Sequence, residues 1–291
     1  MSLLGAIEAG GTKFVVAVAD TENPEEVIQR ESFPTEDGEK TLKNVIAFFD
    51  QFEDIDAIGI AAFGPIDVKP DSATYGYVLD TPKRGWSGFD FLGTMKAWRD
   101  IPYFWTTDVN GAGWAEYVSG AAKDVENVVY LTVGTGVGAG IIQNGELLAG
   151  RSHPEAGHIM MQRHPDDHYE GLCPFHGNNC LEGLTAGPAV EGRWGVSGKD
   201  LPDDHEAWKM EAFYLAQAAV TYTAILRPDM IIFGGGIPHR EILFPLIRES
   251  FAEQMNNYLD VPDLDTYIQP VKNGDNAGIL GCFYLAKTLV K

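Results

Sequence analysis

The chain has 291 residues, 45% of them hydrophobic, and is long enough to form two compact lobes with apolar cores. Its 21 basic and 42 acidic residues give a formal net charge of −21, which argues against nucleic acid as a partner. Three cysteines cannot form a disulfide framework. We see no membrane-spanning apolar run and no cleavable signal segment, so we expect a cytoplasmic protein with no membrane partner.

The first half of the chain predicts an α/β lobe that opens on a glycine hairpin. Strands are predicted over 3–9 and 14–20, with a third beginning at Val27. The later elements are a helix over 38–52, a buried strand over 55–64, an ordered loop over 70–90, a strand over 103–108 and a helix over 111–120.

The second half repeats this opening. A second hairpin is predicted from strands over 127–134 and 139–145, and an irregular stretch rich in His, Pro and Gly follows over 150–185. After it come a long buried helix over 207–226, a strand entering a glycine turn over 229–236, and helices over 241–259 and 276–290. Alternating strands and helices in both halves fit two α/β lobes.

The two glycine hairpins, GAIEAGGTKFVVAV (5–18) and VYLTVGTGVGAGII (129–142), are the strongest functional signal. Glycine permits tight turns and leaves backbone N–H groups open to a ligand. Lys13 does not belong to a Walker loop, and the second turn leads into a strand rather than the helix of a dinucleotide fingerprint. One such hairpin alone is most often only a turn. Two, facing each other across a cleft, would hold a polyphosphate and so predict phosphoryl transfer.

A metal site is predicted in the irregular stretch. Cys173, His176 and Cys180 form a compact Cys-x2-His-x3-Cys array, and a fourth ligand upstream would complete a tetrahedron. Zn²⁺ prefers thiolate and imidazole ligands and would order a loop that buries little apolar surface. Four protein ligands leave no open position, so the site would be structural. His158 is favoured as the fourth ligand, although His153, His164 and His168 compete.

Asp108 is the best candidate for a general base. It ends the strand YFWTTD, just before a helix, where a carboxylate is rigidly held. Helix capping by Asp108 or Asn110 explains the same position equally well.

Several segments together resemble the ROK family of sugar kinases, and the bacterial ROK fructokinases in particular. They are EAGGTKFV (8–15), FGPID (63–67), TPKRGW (81–86), TTDVNGA (106–112), GTGVGAG (134–140), PEAGH (154–158), CPFHGNNCLEGLTAGPA (173–189) and FGGGI (233–237). The resemblance implies a two-lobed actin-like ATPase (ribonuclease H-like) fold with a duplicated core. We place the N-terminal lobe at 1–107, the C-terminal lobe at 108–275 with the zinc loop at about 150–185, and a helix over about 276–291 that packs back on the N-terminal lobe.

The resemblance also implies a role for individual residues. Asp108 matches the catalytic base, which raises it above the capping alternative. The ATP-binding turns are matched by Gly10, Gly11, Thr12 and Lys13, by Gly134, Thr135 and Gly136, and by Gly234, Gly235 and Gly236. The sugar contacts are matched by Gly64, Asn110, Glu155, His158 and Glu182. The zinc ligands are matched by His158, Cys173, His176 and Cys180, and His158 would link the metal to the sugar pocket.

Two positions depart from the common ROK pattern. Glu8 stands where many members have Asp, which affects how Mg²⁺ or its waters are held, and His176 replaces a cysteine of the usual zinc loop. Both features look like the fructokinase branch. We therefore expect an ATP-dependent hexose kinase, foremost a fructokinase acting on the 6-hydroxyl of fructose, with structural Zn²⁺, Mg²⁺ bound with ATP, and a homodimer.

Other functions stay open at this stage. Another ROK hexose kinase (a mannokinase, glucokinase or N-acylhexosamine kinase) would share these motifs, because a few hydroxyl contacts decide the sugar. A non-enzymatic sugar sensor is the alternative of a different class. The acidity of the chain and the absence of a helix-turn-helix before Glu8 weigh against a DNA-binding sensor.

Overall fold

The computed structural model describes residues 2–177 and 179–290. Met1, Asn178 and Lys291, which fall in the predicted N-terminal lobe, zinc loop and C-terminal helix, lie outside the described residues. The strands are β1 (Leu3–Ala9), β2 (Lys13–Asp20), β3 (Val27–Pro34), β4 (Ile55–Ala62), β5 (Tyr77–Val78), β6 (Phe89–Asp90), β7 (Tyr103–Thr107), β8 (Val128–Val133), β9 (Val137–Gln143), β10 (Glu146–Leu147), β11 (Met230–Gly234) and β12 (Ile268–Pro270).

The helices alternate with these strands. They are α1 (Gly38–Phe49), α2 (Phe91–Trp98), α3 (Asp108–Val118), α4 (Leu181–Thr185), α5 (Gly187–Trp194), α6 (Ala207–Leu226), α7 (Leu243–Met255), α8 (Leu264–Tyr267) and α9 (Ala277–Lys287), with 3₁₀ turns at Ala156–His158 and Gly274–Asn276. None of the helices within the described residues is both long and apolar enough to cross a bilayer.

The chain divides into two compact units. Unit 1 comprises residues 1–118, 149–153 and 275–291, and unit 2 comprises residues 119–148 and 154–274. Each unit contains one five-stranded sheet, with strand order β3-β2-β1-β4-β7 in unit 1 and β10-β9-β8-β11-β12 in unit 2.

The two sheets share one topology. In each, the first two strand pairs are antiparallel, because hairpins connect them, and the last two pairs are parallel. The predicted α/β class and duplicated core are therefore confirmed. Parallel central strands also bring the end of β7 to the same sheet edge as the end of β4.

Both faces of the unit 1 sheet are covered. On one face, Phe14, Phe49 and Phe91 belong to a core cluster shared with α1 and α2. On the other, Ile279 and Phe283 of α9 pack against small residues of β1, β2 and β4. A Cβ on Gly59 of β4 would overlap the backbone of Cys282, so helix and sheet meet at backbone distance. In unit 2 a single large cluster joins β8, β9 and β11 to α6 and α7.

Most predicted elements are confirmed to within a few residues. The short elements β5, β6, β10, α4, α8 and β12 were not predicted. Three further differences concern longer helices. Helix α3 begins at Asp108 rather than at Gly111, so Asp108 and Asn110 both lie in its first turn. Helix α2 follows directly on the predicted loop, and helix α5 follows α4 at the end of the irregular stretch. The sequence analysis assigned neither of these helices.

Candidate functional site

The first glycine turn, in unit 1, connects β1 to β2. The Gly10 backbone N–H donates to the Lys13 carbonyl oxygen at 3.0 Å and closes the turn. Thr35, just after β3, holds the turn from the side: its hydroxyl donates to the Gly10 carbonyl oxygen at 2.7 Å and its N–H to the Thr12 carbonyl oxygen at 3.0 Å. Lys83 Nζ donates to the Gly11 carbonyl oxygen at 2.8 Å. The predicted turn is thus braced by two side chains to which the sequence analysis gave no role.

Asp108 is the first residue of α3, immediately after β7. Its Oδ1 accepts a hydrogen bond from the Val109 backbone N–H at 2.9 Å. A helix N-terminus stabilises a negative charge placed in its first turn. Asn110 is buried, and its side chain donates to Thr106 Oγ1 at 2.9 Å. Asp108 is therefore held as a half-buried carboxylate at the carboxyl end of a strand, the position that the sequence analysis gave to a base.

Glu8 lies close enough to Asp108 for the two charges to interact. Burial raises the pKa of Glu8, Arg30 and Lys13 oppose that rise, and the Asp108 charge raises it further. Gly278 of α9 packs against the Glu8 carboxyl group so closely that a Cβ there would overlap it. Two acidic groups held near each other beside basic residues form an arrangement that a divalent cation would stabilise.

Gly64 follows β4 and precedes a cis peptide bond to Pro65. Among the described residues, a Cβ on Gly64 would have one neighbour within 4 Å, His153 Nε2 at 3.8 Å. The backbone at Gly64 is therefore open on this side.

The other two glycine turns converge in unit 2. The Gly134 N–H donates to the Gly136 carbonyl oxygen at 2.9 Å, and the Gly187 N–H donates to the Gly134 carbonyl oxygen at 2.7 Å. Gly235 has a φ of 88°, and a Cβ on it would lie 2.6 Å from the Val133 carbonyl oxygen. The turn at Gly134 and the turn after β11 thus meet backbone to backbone.

These turns open onto a pocket of about 550 Å³. Its lining includes Gly134, Thr135 and Gly236 from the predicted set, whereas Gly136, Gly234 and Gly235 support the turns from outside the lining. The sequence analysis missed the rest of the lining: Gly187, Pro188, Glu191, Ser197, Gly198, Lys199, Trp208, Ile237, His239 and Arg240. Arg240 closes one side, because its guanidinium donates to the carbonyl oxygens of Gly198 and Lys199 and lies 4.8 Å from the Trp208 ring.

The four predicted metal ligands form one cluster in unit 2. Single ligand atoms of His158, Cys173, His176 and Cys180 all lie within 4.8 Å of one another, and His153, His164 and His168 do not belong to the cluster. Cys173 Sγ lies 3.5 Å from His176 Nδ1 and 3.8 Å from His158 Nδ1, and Cys180 Sγ lies 3.7 Å from His158 Nδ1. Ordinary zinc–ligand bonds in a tetrahedron separate N and S by about 3.5 Å. The donor set and its spacing therefore fit a tetrahedral metal ion.

The two buried thiols of the cluster would need a nearby cation to ionise. Burial raises the pKa of the Cys180 thiol to about 11, with neighbouring Cys173 adding to the effect. The Gly183 backbone N–H donates to Cys180 Sγ at 3.4 Å, and this contact lowers the pKa of the thiol. A metal ion would supply the charge that holds both sulfurs as thiolates.

A buried ionic network orders the loop that carries these ligands. The Asp167 carboxylate accepts two hydrogen bonds from the Arg193 guanidinium, both 3.1 Å, and one from Tyr214 Oη at 2.6 Å. Burial alone would raise the pKa of Asp167, but the hydrogen bonds from Arg193 and Tyr214 outweigh it and lower the pKa. The long irregular stretch is thus fixed to α5 and α6 by a charged carboxylate.

Glu182 connects the metal cluster to the second hairpin. One carboxylate oxygen accepts a hydrogen bond from the Val137 backbone N–H at 3.0 Å, and the other lies 3.9 Å from His158 Nε2. On the other side of the hairpin strand, a Cβ on Gly157 would overlap the Val137 carbonyl oxygen. Two residues beside the His/Cys cluster therefore contact the Val137 backbone: Glu182 accepts its N–H, and Gly157 packs closely against its carbonyl oxygen. Glu155, at the start of the same 3₁₀ turn, accepts the His158 backbone N–H at 3.0 Å through its carbonyl oxygen.

Comparison with known proteins identifies the family to which the chain belongs. The model of the ROK family matches residues 4–289, so the chain belongs to the ROK family. It is 49% identical to a fructokinase of Pediococcus pentosaceus over 289 residues (99% of each chain). It is 44% identical to a fructokinase of Streptococcus mutans, covering 99% of this chain and 98% of the relative.

A solved structure supports the fold. The ROK hexokinase of Thermus thermophilus superposes with a TM-score of 0.81 at 23% identity, covering 98% of each chain. The predicted family and the predicted actin-like ATPase fold are both confirmed.

We predict that Glu182→Ala loosens the second hairpin. The variant leaves the Val137 N–H without its charged acceptor, a contact worth about 1.5–3 kcal/mol. Hydrogen exchange at residues 134–137 should accelerate roughly 10- to 100-fold, as followed by mass spectrometry. Glu182→Gln keeps an acceptor oxygen, so its exchange rate should lie between those of the wild type and Glu182→Ala. Glu170→Ala, an exposed glutamate of the same loop, is the control. Unchanged exchange in Glu182→Ala would show that the carboxylate does not hold the turn.

Proposed function

We propose that this protein is an ATP-dependent fructokinase that transfers the γ-phosphoryl group of ATP to the 6-hydroxyl of fructose. The observation that carries the proposal is the identity of more than 40% to fructokinases along nearly the whole chain. The geometry supports it, because unit 1 presents a carboxylate at a strand end, and unit 2 presents glycine turns around a pocket large enough for a nucleoside.

The glycine turns would bind the phosphates through backbone N–H groups. Gly10, Gly11, Thr12 and Lys13 form the turn of unit 1, and Gly134, Thr135 and Gly136 that of unit 2. The turn at Gly234, Gly235 and Gly236 would lie beside the adenosine. Phosphoryl transfer has a loose transition state, so fixed donors around the phosphates supply much of the acceleration.

Asp108 would accept the proton of the attacking hydroxyl. As the fructose oxygen bonds to the γ-phosphorus, the bond from that phosphorus to the bridging oxygen of ADP breaks, and the hydroxyl proton passes to the Asp108 carboxylate. Gly64, Asn110, Glu155, His158 and Glu182 would orient the sugar. Mg²⁺ bound with ATP would offset the phosphate charge, and Glu8 would hold it or its waters.

We assign Zn²⁺ to the His/Cys cluster. The two-thiolate, two-imidazole set and its spacing suit this ion, and four protein ligands make the site structural. His158 and Glu182, which lie 3.9 Å apart, would connect the metal to the sugar. A homodimer, the usual ROK assembly, completes the proposal.

The substrate is tested by comparing kcat/KM across fructose, mannose, glucose and N-acetylmannosamine with ATP, with ADP release followed by a coupled assay. Fructose should give the highest value. A higher kcat/KM for another hexose would show that the protein is a kinase of that hexose instead. No turnover with any of the four sugars would support a sugar-binding, non-enzymatic role.

We predict that Asp108→Asn lowers kcat by about 10²- to 10⁴-fold, because the amide cannot accept the hydroxyl proton. Fructose affinity, measured by calorimetry, should change little, because the isosteric amide keeps the shape of the site. Asp100→Asn, an exposed position just before β7, is the control. Turnover near that of the wild type would remove Asp108 as the base.

We predict that Cys173→Ser abolishes stoichiometric zinc and weakens fructose binding. Serine is a far poorer zinc ligand than thiolate, and losing one ligand removes the constraint on the loop. Metal content by mass spectrometry should fall from about one zinc ion per chain to near zero. Cys282→Ser, in the buried core of unit 1, should retain zinc. Wild-type protein purified without zinc would contradict the assignment.

A further inference from the structure

A pocket in unit 1 lies beside the first glycine turn and is lined by basic side chains. Its volume is about 470 Å³, and its lining combines Gly11 of the turn with Lys40, Lys83 and Arg84. Lys83 and Arg84 belong to the segment TPKRGW, to which neither the sequence analysis nor the proposed mechanism gives a role. Lys40 lies in the first turn of α1.

Lys83 is in direct contact with the turn. Its Nζ donates to the Gly11 carbonyl oxygen at 2.8 Å and lies 5.0 Å from the centre of the Phe63 ring. A Cβ on Gly11 would overlap this nitrogen, so a side chain at position 11 would displace the ammonium group from its present contact. An ammonium group has three N–H donors. The Gly11 carbonyl oxygen takes one, and two others remain for a ligand.

The segment that carries Lys83 is rigidly placed. Trp86 is fully buried, its indole N–H donates to the Glu36 carbonyl oxygen at 2.7 Å, and its ring lies 5.5 Å from Phe14 and 5.3 Å from Phe63. The Gly38 N–H at the start of α1 donates to the Gly85 carbonyl oxygen at 3.3 Å. Lys83 is therefore fixed by its neighbours rather than free to move with solvent.

The charges of the pocket favour an anion. Lys40, Lys83 and Arg84 face two acidic residues, Glu36 and Asp37, so the pocket is net positive in a chain of net charge −21. Asp37 already accepts the Lys40 backbone N–H at 3.0 Å, which lowers its pKa, and lies 3.5 Å from Lys40 Nζ. Within the described part of the chain Arg84 forms no hydrogen bond or ion pair. The net charge and a free guanidinium leave the pocket able to bind an anion.

We propose that this pocket binds a phosphoryl group, and that Lys83 contacts the terminal phosphoryl group of ATP during transfer. The inference rests on the proposed kinase activity. A lysine beside a glycine turn provides a point charge where negative charge gathers in the transition state, and Arg84 and Lys40 raise the local potential that draws the nucleotide in. Lys83 is then a catalytic residue in addition to a brace of the turn.

If the role of Lys83 is purely structural, its substitution should change the affinities for ADP and ATP in a different way. If it only holds the Gly11 carbonyl oxygen, its loss disturbs the turn and weakens ADP and ATP alike. If it contacts the terminal phosphoryl group, its loss weakens ATP far more than ADP, because ADP lacks that group. Lys83→Gln separates the two roles, since the amide can still donate to the Gly11 carbonyl oxygen but carries no charge.

The experiment compares wild type, Lys83→Gln, Lys83→Arg and Lys43→Gln. Lys43 is exposed on α1 outside the pocket and serves as the control. Calorimetry gives the affinity for ADP and for a non-hydrolysable ATP analogue, both with Mg²⁺, and steady-state assays give kcat with fructose. We expect Lys83→Gln to lose about 10- to 100-fold in analogue affinity and in kcat while ADP affinity changes less than about threefold. Lys83→Arg should recover part of the loss.

Two outcomes overturn the inference. Equal losses for ADP and the analogue would assign Lys83 to bracing the turn alone. A loss confined to fructose 6-phosphate or inorganic phosphate, tested by the same calorimetry, would assign the pocket to product or free phosphate. Failure of the proposed function is distinguishable: wild type that phosphorylates no hexose refutes the kinase, whereas the nucleotide affinities still decide the role of Lys83.

Discussion

The hold on the Val137 peptide is the constraint on which unit 2 depends. Glu182 accepts its N–H, and Gly157 lies against its carbonyl oxygen without room for a side chain. Both residues lie next to residues of the His/Cys cluster, so the cluster and the second glycine turn are linked through direct contacts. The Glu182 carboxylate that accepts the Val137 N–H at the start of β9 also lies 3.9 Å from His158 Nε2. A metal ion bound by the cluster would therefore restrain the strand that begins directly after the Gly134 turn as well as its own loop.

Charge is the second organising theme. The chain is strongly acidic, yet each candidate ligand region gathers basic groups: Lys13 and Arg30 near Glu8, Lys83 and Arg84 beside the first turn, Lys199 and Arg240 around the larger pocket. The acidic surface repels polyanions, whereas these local basic groups make the pockets favourable for anionic ligands. This contrast between an acidic surface and basic pockets favours small phosphate ligands that fit the pockets.

The sequence predicted what local patterns encode. Glycine runs between apolar strands located the turns, and Cys and His at short spacing located three of the metal ligands. Each of these motifs is contained within a few consecutive residues, so it can be recognised without knowledge of the fold. The lining of the larger pocket was not predictable in this way, since Glu191, Lys199 and Arg240 come from separate segments that only tertiary packing assembles. Helix α2 is short and follows a loop, so its sequence carries a weak helical pattern. Helix α5 does carry a local signal, because Pro188 lies in its first turn. Lys83 stood in a quoted motif, but nothing local shows that it reaches Gly11.

The division of the chain also has a consequence for its biosynthesis. Helix α9 covers one face of the unit 1 sheet, yet its residues are translated after all of unit 2. Until the ribosome has made residues 275–291, β1, β2 and β4 expose apolar side chains on that face, while unit 2 already has its complete sequence. Unit 1 therefore completes the packing of its sheet only after the whole of unit 2 has been synthesised, and the face that waits for α9 is an aggregation-prone surface of the nascent chain.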